Sequence, residues 1–359
     1  MNHARRAQRL RERIAQSGVE AVLITKPANV RYVSGFAGST GALLISQTAA
    51  RLVSDFRYEL QAREQATAFE FFRVQRMEEC LPQAIGDLGV RSLGFEPAHV
   101  TVSTYAEMQG HLGDLRFVPL PQLVEDMRLV KDEAELALIR RAGEIADAAM
   151  AHVIERIAAG KTERQLALDA EIFIRQAGAE KVAFDIIVAS GPRSAVPHAL
   201  PSDRVLAKGD LVIIDLGARL DGYHSDLTRT VAVGPASPEA KRIYSLCHAA
   251  QSAGLQAVKA EAICPEVDAQ ARKVIEEAGY GQHFGHGLGH GVGLEIHEAP
   301  RLAPTAKPDA LAEGMVVTVE PGIYVPESGG VRIEDLVVVQ KDGAACLTSA
   351  PKPSELPEV

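Results

Sequence analysis

The stretch of residues 209–234, GDLVIIDLGARLDGYHSDLTRTVAVG, predicts a β-hairpin whose register follows from its turn. The dipeptide Asp221-Gly222 is a strong signal for a two-residue turn, because both residue types tolerate positive φ. With the turn placed there, Asp215 faces Thr228, and Asp226 is its diagonal neighbour on the same face. An ionised carboxylate in an apolar strand is costly without a cation or hydrogen-bond donors. The hairpin therefore predicts a cation site or, as the simpler alternative, an Asp226 that only caps its strand or is solvated.

Two further carboxylates occur in runs that are typical of strands. GMVVTVEPG, residues 314–322, ends in Glu320 before a Pro-Gly turn, and VRIEDLVVV, residues 331–339, contains Glu334. A single acid in a β run usually points to solvent, and we expect this of Asp335. The recurrence of four acids in such strands, together with a histidine, favours a metal centre over separate solvated positions.

The histidine comes from HFGHGLGHGVGLEIHE, residues 283–298, in which every second residue from 285 to 293 is glycine. In an extended segment this pattern leaves one face without side chains, while the other presents His286 and His290. A bare face suggests the close approach of another backbone or of a ligand. A flexible surface loop with incidental histidines is the simpler alternative, but the alternation argues against it.

One imidazole and four carboxylates form an oxygen-dominated ligand set without thiolate. Such a set suits Mn²⁺, with Zn²⁺, Co²⁺ or Fe²⁺ as alternatives. Its charge of about four negative units is balanced by two divalent ions. Two metals about 3.5–4 Å apart lower the pKa of a bound water and so supply a nucleophile at neutral pH. The chain contains no HExxH, GxSxG or P-loop motif that would favour another chemistry.

Composition argues against several classes of function. The chain has 359 residues and a net charge of −9, which argues against a nucleic-acid partner held by phosphate contacts. Cys80, Cys247, Cys264 and Cys346 have no CxxC spacing and predict neither a disulfide framework nor a zinc knuckle. No apolar run approaches the ~18 residues of a membrane span, and the arginine-rich N-terminus predicts an ordinary first helix. We expect a cytoplasmic protein without a membrane partner.

The order of patterns along the chain predicts two domains, residues 1–130 and 131–359. Strands of an α/β unit are expected in the first domain at residues 21–25, 41–46, 51–56 and 92–96. The second domain opens with KDEAELALIRRAGEIADAAMAHVIERIAAG, which predicts a long helix that begins at acidic residues and ends at Gly160. Another helix is expected at about residues 162–177.

In combination these motifs resemble the metallopeptidases of the pita-bread fold, which include methionine aminopeptidase, aminopeptidase P, prolidase and the metal-free creatinase. DLGARLDGYHSDLTRT, HGLGHGVGLEIHE, GMVVTVEPGIY and GGVRIED resemble the proline-cutting branch in particular. The resemblance implies an α+β fold, with a pita-bread catalytic domain of the creatinase/aminopeptidase type at the C-terminus. It also implies a creatinase-type α/β domain at the N-terminus, which methionine aminopeptidase lacks.

The resemblance implies a role for each acidic strand residue and for one histidine. Asp215 would chelate one metal, and His290 and Glu320 would hold the other. Asp226 and Glu334 would bridge the two ions. All five positions keep metal-binding side chains, which disfavours creatinase.

Catalytic and substrate-binding residues follow from the same resemblance. His198 and His297 would stabilise the oxyanion, and Glu320 would carry a proton to the leaving nitrogen. His286 and Arg332 match positions that contact the substrate or support the metal site.

The activity implied is hydrolysis of the bond between an N-terminal residue and a following proline in short peptides. The compact length and the phrases GFAGSTGALL and DFRYELQA favour an Xaa-Pro aminopeptidase, that is, aminopeptidase P. An Xaa-Pro dipeptidase, or prolidase, is the alternative, because both enzymes share every residue named above. A binding module that has lost its metals is the non-enzyme alternative, which the complete ligand set disfavours. A homodimer is expected.

Overall fold

The chain folds into two units, Met1–Arg128 and Leu129–Val359. The computed structural model describes residues 1–75, 77–326 and 328–359, and the side chains of residues 77–81 lie outside that description. Cys80 is among the latter, whereas Cys247, Cys264 and Cys346 are free thiols. Within the described residues no helix is both long enough and apolar enough to cross a bilayer.

The first unit contains a six-stranded mixed sheet with the order β4-β3-β2-β1-β5-β6. Its strands are β1 Ala21–Ile24, β2 Ala42–Ser46, β3 Ala50–Ser54, β4 Glu70–Arg73, β5 Ser92–Phe95 and β6 Arg116–Pro119. Its helices are α1 His3–Ser17, α2 Pro27–Ser34, α3 Glu59–Gln65, α4 Met77–Gly86, α5 Val102–Leu112 and α6 Glu125–Arg128. The first helix is confirmed, with Leu10 and Ile14 fully buried. The four strands that the sequence predicted are confirmed as β1, β2, β3 and β5.

In the described part of the second unit the α-helices are α7 Glu133–Ile154, α8 Glu163–Gln176, α9 Pro238–Ala257 and α10 Cys264–Glu277. Helix α8 is where the sequence predicted it, and a capping box between Thr162 and Gln165 fixes its start. The prediction that α7 continues to Gly160 is wrong. The amide of Gly160 and the carbonyl of Lys161 instead bond the backbone of Leu206, so this connection pairs with a distant segment rather than with the helix.

The described residues of the second unit contain thirteen strands in four small sheets. They are β7 Lys181–Val182, β8 Ile187–Ser190, β9 Leu211–Leu216, β10 Ala218–Leu220, β11 Tyr223–His224, β12 Leu227–Ala232, β13 Gly289–Gly291, β14 Glu298–Leu302, β15 Val316–Val319, β16 Gly322–Val325, β17 Gly329–Arg332, β18 Asp335–Gln340 and β19 Gly343–Cys346. The sheet orders are β11-β10-β7, β12-β9-β8, β14-β13-β15-β18-β19 and β16-β17.

The hairpin of β9 and β12 has the register that its turn predicted. Asp215 pairs with Thr228, and Asp221 and Gly222 have φ values of 45° and 79°. On β9 the side chain of Ile214 joins the core beneath α7 and α8, so Asp215 points to the opposite face. A separate apolar core lies between α9, α10 and the five-stranded sheet. The hairpin thus turns its carboxylate away from an apolar core.

The glycine-rich segment approaches other backbone closely, which confirms the prediction made from its bare face. A Cβ added to Gly289 would lie 2.0 Å from the carbonyl oxygen of Thr318, and one on Gly291 would lie 2.2 Å from that of Ala299. Gly285 differs, because nothing described lies within 4 Å of its added Cβ. The glycines of β13 therefore let this strand fit between its neighbours.

Replacing Gly289 by alanine is expected to lower the free energy of unfolding by about 1–3 kcal/mol, because the methyl group would push β13 off its neighbour. Denaturant unfolding of the metal-free protein, followed by circular dichroism, measures this change without a contribution from bound ions. Gly285→Ala is the matched control and should cost much less. Equal losses in the two variants would contradict this explanation of the glycine pattern.

Candidate metal centre

Three carboxylates of the second unit converge on one buried place. Asp215 from β9, Asp226 before β12 and Glu334 before β18 each offer an oxygen, and the three oxygens lie within 4.8 Å of one another. The amide of Glu334 donates to the carbonyl of Thr228, which joins the β17–β18 connection to the hairpin. The hairpin and this connection together explain how residues far apart in sequence meet.

His290 and Glu320 complete the group. The Nε2 atom of His290 lies 3.6 Å from Asp226 Oδ2 and 3.2 Å from Glu320 Oε1. The hydroxyl of Thr318 donates to Glu320 Oε1 at 3.1 Å and accepts the amide of His290 at 3.0 Å. The structure therefore brings together all five side chains that the sequence predicted as ligands. Their role as ligands stays a prediction.

The three clustered carboxyls are difficult to ionise together. Burial raises the pKa of Asp226 and Glu334 well above their ordinary values, and the neighbouring carboxylates raise it further. Burial also raises the pKa of Asp215, although the charge of Arg332 opposes this. Burial acts likewise on Glu320, but the hydrogen bond and charge of His290 outweigh it and lower the pKa of that carboxyl to about 2. A cation would remove the repulsion by taking the place of the protons.

Two buried oxygens provide a direct test of whether these residues fit a metal. Asp215 Oδ1 and Glu334 Oε1 are fully buried and have no hydrogen-bond partner within the described part of the chain. A buried acceptor without a donor costs about 1–3 kcal/mol, so such atoms need another partner. A divalent ion bound by carboxylate oxygens and one imidazole supplies that partner. The donor set fits divalent metal ions.

Arg332 holds one side of the carboxylate group in place. Its Nη2 donates to Asp215 Oδ2 at 2.6 Å, and its Nη1 donates to the hydroxyl of Tyr324 at 3.0 Å. Its Nε reaches the hydroxyl of Thr228 at 3.3 Å, and that hydroxyl donates to Glu334 Oε2 at 2.7 Å. Arg332 therefore orients Asp215 directly and Glu334 through Thr228. Its predicted contact with substrate stays a prediction.

The expectation that Asp335 points to solvent is wrong. Asp335 is 2% exposed and accepts a hydrogen bond from Arg229 Nη2 at 2.7 Å, and it is also paired with Lys352. Arg229 additionally donates to the carbonyl of Glu334 at 2.5 Å. Asp335 can be buried because Arg229 and Lys352 balance its charge. Arg229 also fixes the backbone at Glu334. The sequence reading did not identify this partner, an arginine within the strand LTRTVA.

The carboxylates form the floor of a cavity of about 790 Å³. Its wall includes all the residues predicted for catalysis and substrate binding, namely His198, His286, His297, Glu320 and Arg332. The rings of His290 and His297 are 4.4 Å apart, and the Nε2 of His286 lies 3.0 Å from the hydroxyl of Tyr324. Burial, followed by the charge of His290, lowers the pKa of His297, so this ring is neutral at pH 7.

Arg301 is a lining residue that the sequence reading missed. It pairs with His290 across β13 and β14, and side chains of paired residues project from the same face of a sheet. The guanidinium is exposed and forms no ion pair with any described residue. The phrase HEAPRL offered no periodicity or motif that marks this arginine.

Family models and known proteins match the chain along almost all of its length. The model described as metallopeptidase family M24 matches residues 137–341, and that of the creatinase/prolidase N-terminal domain matches residues 6–130. An Xaa-Pro dipeptidase from Pyrococcus horikoshii is 40% identical, over 96% of this chain and 96% of its own length. These family matches confirm the predicted fold class.

Solved structures have the same fold. An Xaa-Pro dipeptidase from Bacillus anthracis is 42% identical with a TM-score of 0.96, and the match covers 100% of both chains. An X-Pro aminopeptidase from Thermotoga maritima is 39% identical with a TM-score of 0.91, over 98% of this chain and 99% of its own.

The preference for aminopeptidase P that the sequence suggested is wrong. Five relatives that match nearly the whole chain, two in sequence and three in structure, are named Xaa-Pro dipeptidase or prolidase, against the one X-Pro aminopeptidase above, so the alternative fits better. GFAGSTGALL, one of the two phrases used for that preference, serves packing within the first unit. A Cβ on Gly38 would lie 2.2 Å from the ring of Phe36, and Ser54 donates to the carbonyl of Thr40. Packing of this kind carries no information about substrate length.

Purified protein is expected to bind close to two divalent ions per chain, and Asp226→Asn or Glu334→Gln should reduce the content of both, because each carboxylate is assigned to bridge. Elemental analysis after dialysis against Mn²⁺ measures the content. Glu96→Gln is the control, since Glu96 is a buried acid whose amide donors all lie in the first unit. Wild-type metal content in both bridging variants would refute the assignment.

Proposed function

Because this chain belongs to metallopeptidase family M24, we propose that it is a metal-dependent Xaa-Pro dipeptidase, which hydrolyses dipeptides with proline second. The convergence of four carboxylates and His290 on the floor of one cavity carries the proposal. The names of relatives that match nearly the whole chain support the choice of substrate. The predicted family resemblance is confirmed by the same matches.

The five converging side chains would hold two divalent ions. We assign Asp215 to one ion, His290 and Glu320 to the other, and Asp226 and Glu334 to both. When bound, such ions polarise a carbonyl and lower the pKa of a water molecule. Manganese suits the oxygen-rich set best, and this choice and the homodimer stay predictions.

Three side chains of the cavity would act on the scissile bond. His297 is neutral, so it donates an N–H to the developing oxyanion while adding no charge of its own to the site. His198 lines the same cavity and is assigned the same task. Glu320 lines the same cavity and is assigned to take a proton from the attacking water and to pass it to the nitrogen of the leaving proline.

A dipeptide differs from a longer peptide in having its carboxylate beside the scissile bond. That group needs a cation at the cavity wall, and Arg332 already donates to Asp215, Tyr324 and Thr228. Arg301 is exposed in the same cavity, on the face of the sheet that carries His290. We assign Arg301 to the substrate carboxylate, which its planar fork of donors matches. His286 remains a predicted substrate contact.

The first test compares an Xaa-Pro dipeptide with an Xaa-Pro-Yaa tripeptide that has the same N-terminal residue. The protein should cleave the dipeptide with the higher kcat/KM, because only the dipeptide places a carboxylate near Arg301. Steady-state release of proline or of the proline-containing product measures both rates. Activity should disappear in a chelator and return with Mn²⁺. Preference for the tripeptide, or full activity without metal, would exclude this function.

Arg301→Gln is expected to raise KM for the dipeptide about 10- to 100-fold, the usual value of a hydrogen-bonded charge. The dipeptide amide, which has no carboxylate, should be affected much less. Arg219→Gln provides a matched control, because Arg219 pairs with Glu180 and does not line the cavity. An equal effect of Arg301→Gln on acid and amide would remove Arg301 from carboxylate recognition.

A further inference from the structure

The position of His198 depends on the backbone that carries it. The ring is exposed in the cavity and forms no hydrogen bond with the described part of the chain. It lies in the loop of residues 191–202, which follows Ser190 at the end of β8 and begins with a short 3-10 helix, Gly191–Ala195. Whatever fixes this loop therefore fixes His198.

The buried carboxylate of Glu163 accepts hydrogen bonds from both ends of this loop. Oε1 of Glu163 accepts the amide and the hydroxyl of Ser190, both at 2.8 Å. Its Oε2 accepts the amide of Ser202 at 2.9 Å, the hydroxyl of Ser202 at 2.6 Å and Nε of Arg193 at 3.0 Å. These five hydrogen bonds join both ends of the loop, and one residue inside it, to the same side chain.

The surroundings of Glu163 keep it charged although it is 0% exposed. Burial acts to raise its pKa, but the hydroxyl and amide donors of Ser202 and Ser190 lower the pKa below its ordinary value. Glu163 is also the first residue of α8, where the helix dipole favours negative charge. An ionised carboxylate with five donors is a strong anchor, because hydrogen bonds to charged groups are the stronger kind.

The far side of the loop is tied to the metal centre itself. The carbonyl of Pro197, next to His198, accepts Nη1 of Arg332 at 3.3 Å, and Arg332 holds Asp215. The hydroxyl of Ser194 accepts the amide of Gly330 in β17 at 2.8 Å. The loop thus has one anchor near its middle, at the carboxylate group through Arg332, and a second at its two ends, through Glu163.

We propose that Glu163 is a positioning residue that sets the place of His198 over the metal centre. The assignment rests on the proposed function of His198 as an oxyanion donor. Glu163 lines no part of the cavity, so its influence on the reaction passes through the loop. A displacement of His198 by about 1 Å is enough to lower the rate about 100-fold.

The test is a double-mutant cycle of Glu163→Gln and His198→Ala in metal-loaded protein. Glutamine replaces one acceptor oxygen by a donor, so the bonds at one end of the loop are lost. Glu163→Gln should lower kcat about 10- to 100-fold, with KM and metal content nearly unchanged. His198→Ala should lower kcat by about 10²–10³. In the His198→Ala background, Glu163→Gln should then cost less than about twofold.

Equal costs of Glu163→Gln in the two backgrounds would overturn the proposal, because the residue would then act without His198. Full activity of His198→Ala would overturn it as well, since no group would need positioning. Glu96→Gln is the matched control, because any decrease in kcat that it causes should be the same with and without His198. If Glu163→Gln does not fold, Ser202→Ala removes one hydroxyl donor and should show the same dependence on His198 with a smaller loss.

Failure of the proposed function gives a different result. A wild-type protein that ignores the Xaa-Pro dipeptide but cleaves another peptide overturns the substrate assignment alone. The cycle is then measured on the peptide that is cleaved, and the coupling between Glu163 and His198 is judged as before.

Discussion

The crowding of four carboxylates in one buried place is the constraint on which the rest of the second unit depends. Burial and mutual repulsion raise the pKa of Asp226 and Glu334, and two oxygens of the group have no donor among the described residues. Protein groups balance only part of the negative charge of the carboxylates: Arg332 pairs with Asp215, and His290 pairs with Glu320. The negative charge that remains needs cations to balance it, so the structure of the site and its metal-dependent chemistry follow from the same carboxylates.

Three of the four carboxylates are held in place by hydrogen bonds from neighbouring residues, Asp215 by Arg332, and Glu334 and Glu320 by two threonines. Thr228 and Thr318 bond the carboxylates of Glu334 and Glu320, and Arg229 bonds the backbone at Glu334. Close backbone contact at the glycines of β13 leaves His290 little freedom to shift. Supporting contacts of this kind orient the side chains that are assigned as metal ligands. The loop that carries His198 in the cavity wall is likewise held by hydrogen bonds, from Glu163 and from Arg332.

In the proposed function, substrate length depends on different groups from those assigned to act on the scissile bond. The residues assigned as metal ligands and the histidines would suit any peptide with proline second, so they do not separate a dipeptidase from an aminopeptidase. The cation that would meet a dipeptide carboxylate is Arg301, whose position follows from pairing with His290 across a bulged strand pair. That explains why the motifs identified the family correctly and gave the wrong preference between its members.

The sequence determined the features that depend on neighbours along the chain. The Asp-Gly turn fixed the hairpin register and the common face of Asp215 and Asp226, and alternating glycines marked the strand that fits against other backbone. Tertiary structure alone decided the burial of Asp335 by Arg229 and Lys352, and the closure of the His198 loop by Glu163. Those contacts join residues 17 to 106 positions apart, where no periodicity or turn preference acts. Local sequence patterns predict backbone geometry, whereas the partner of a buried charge depends on how distant segments pack together.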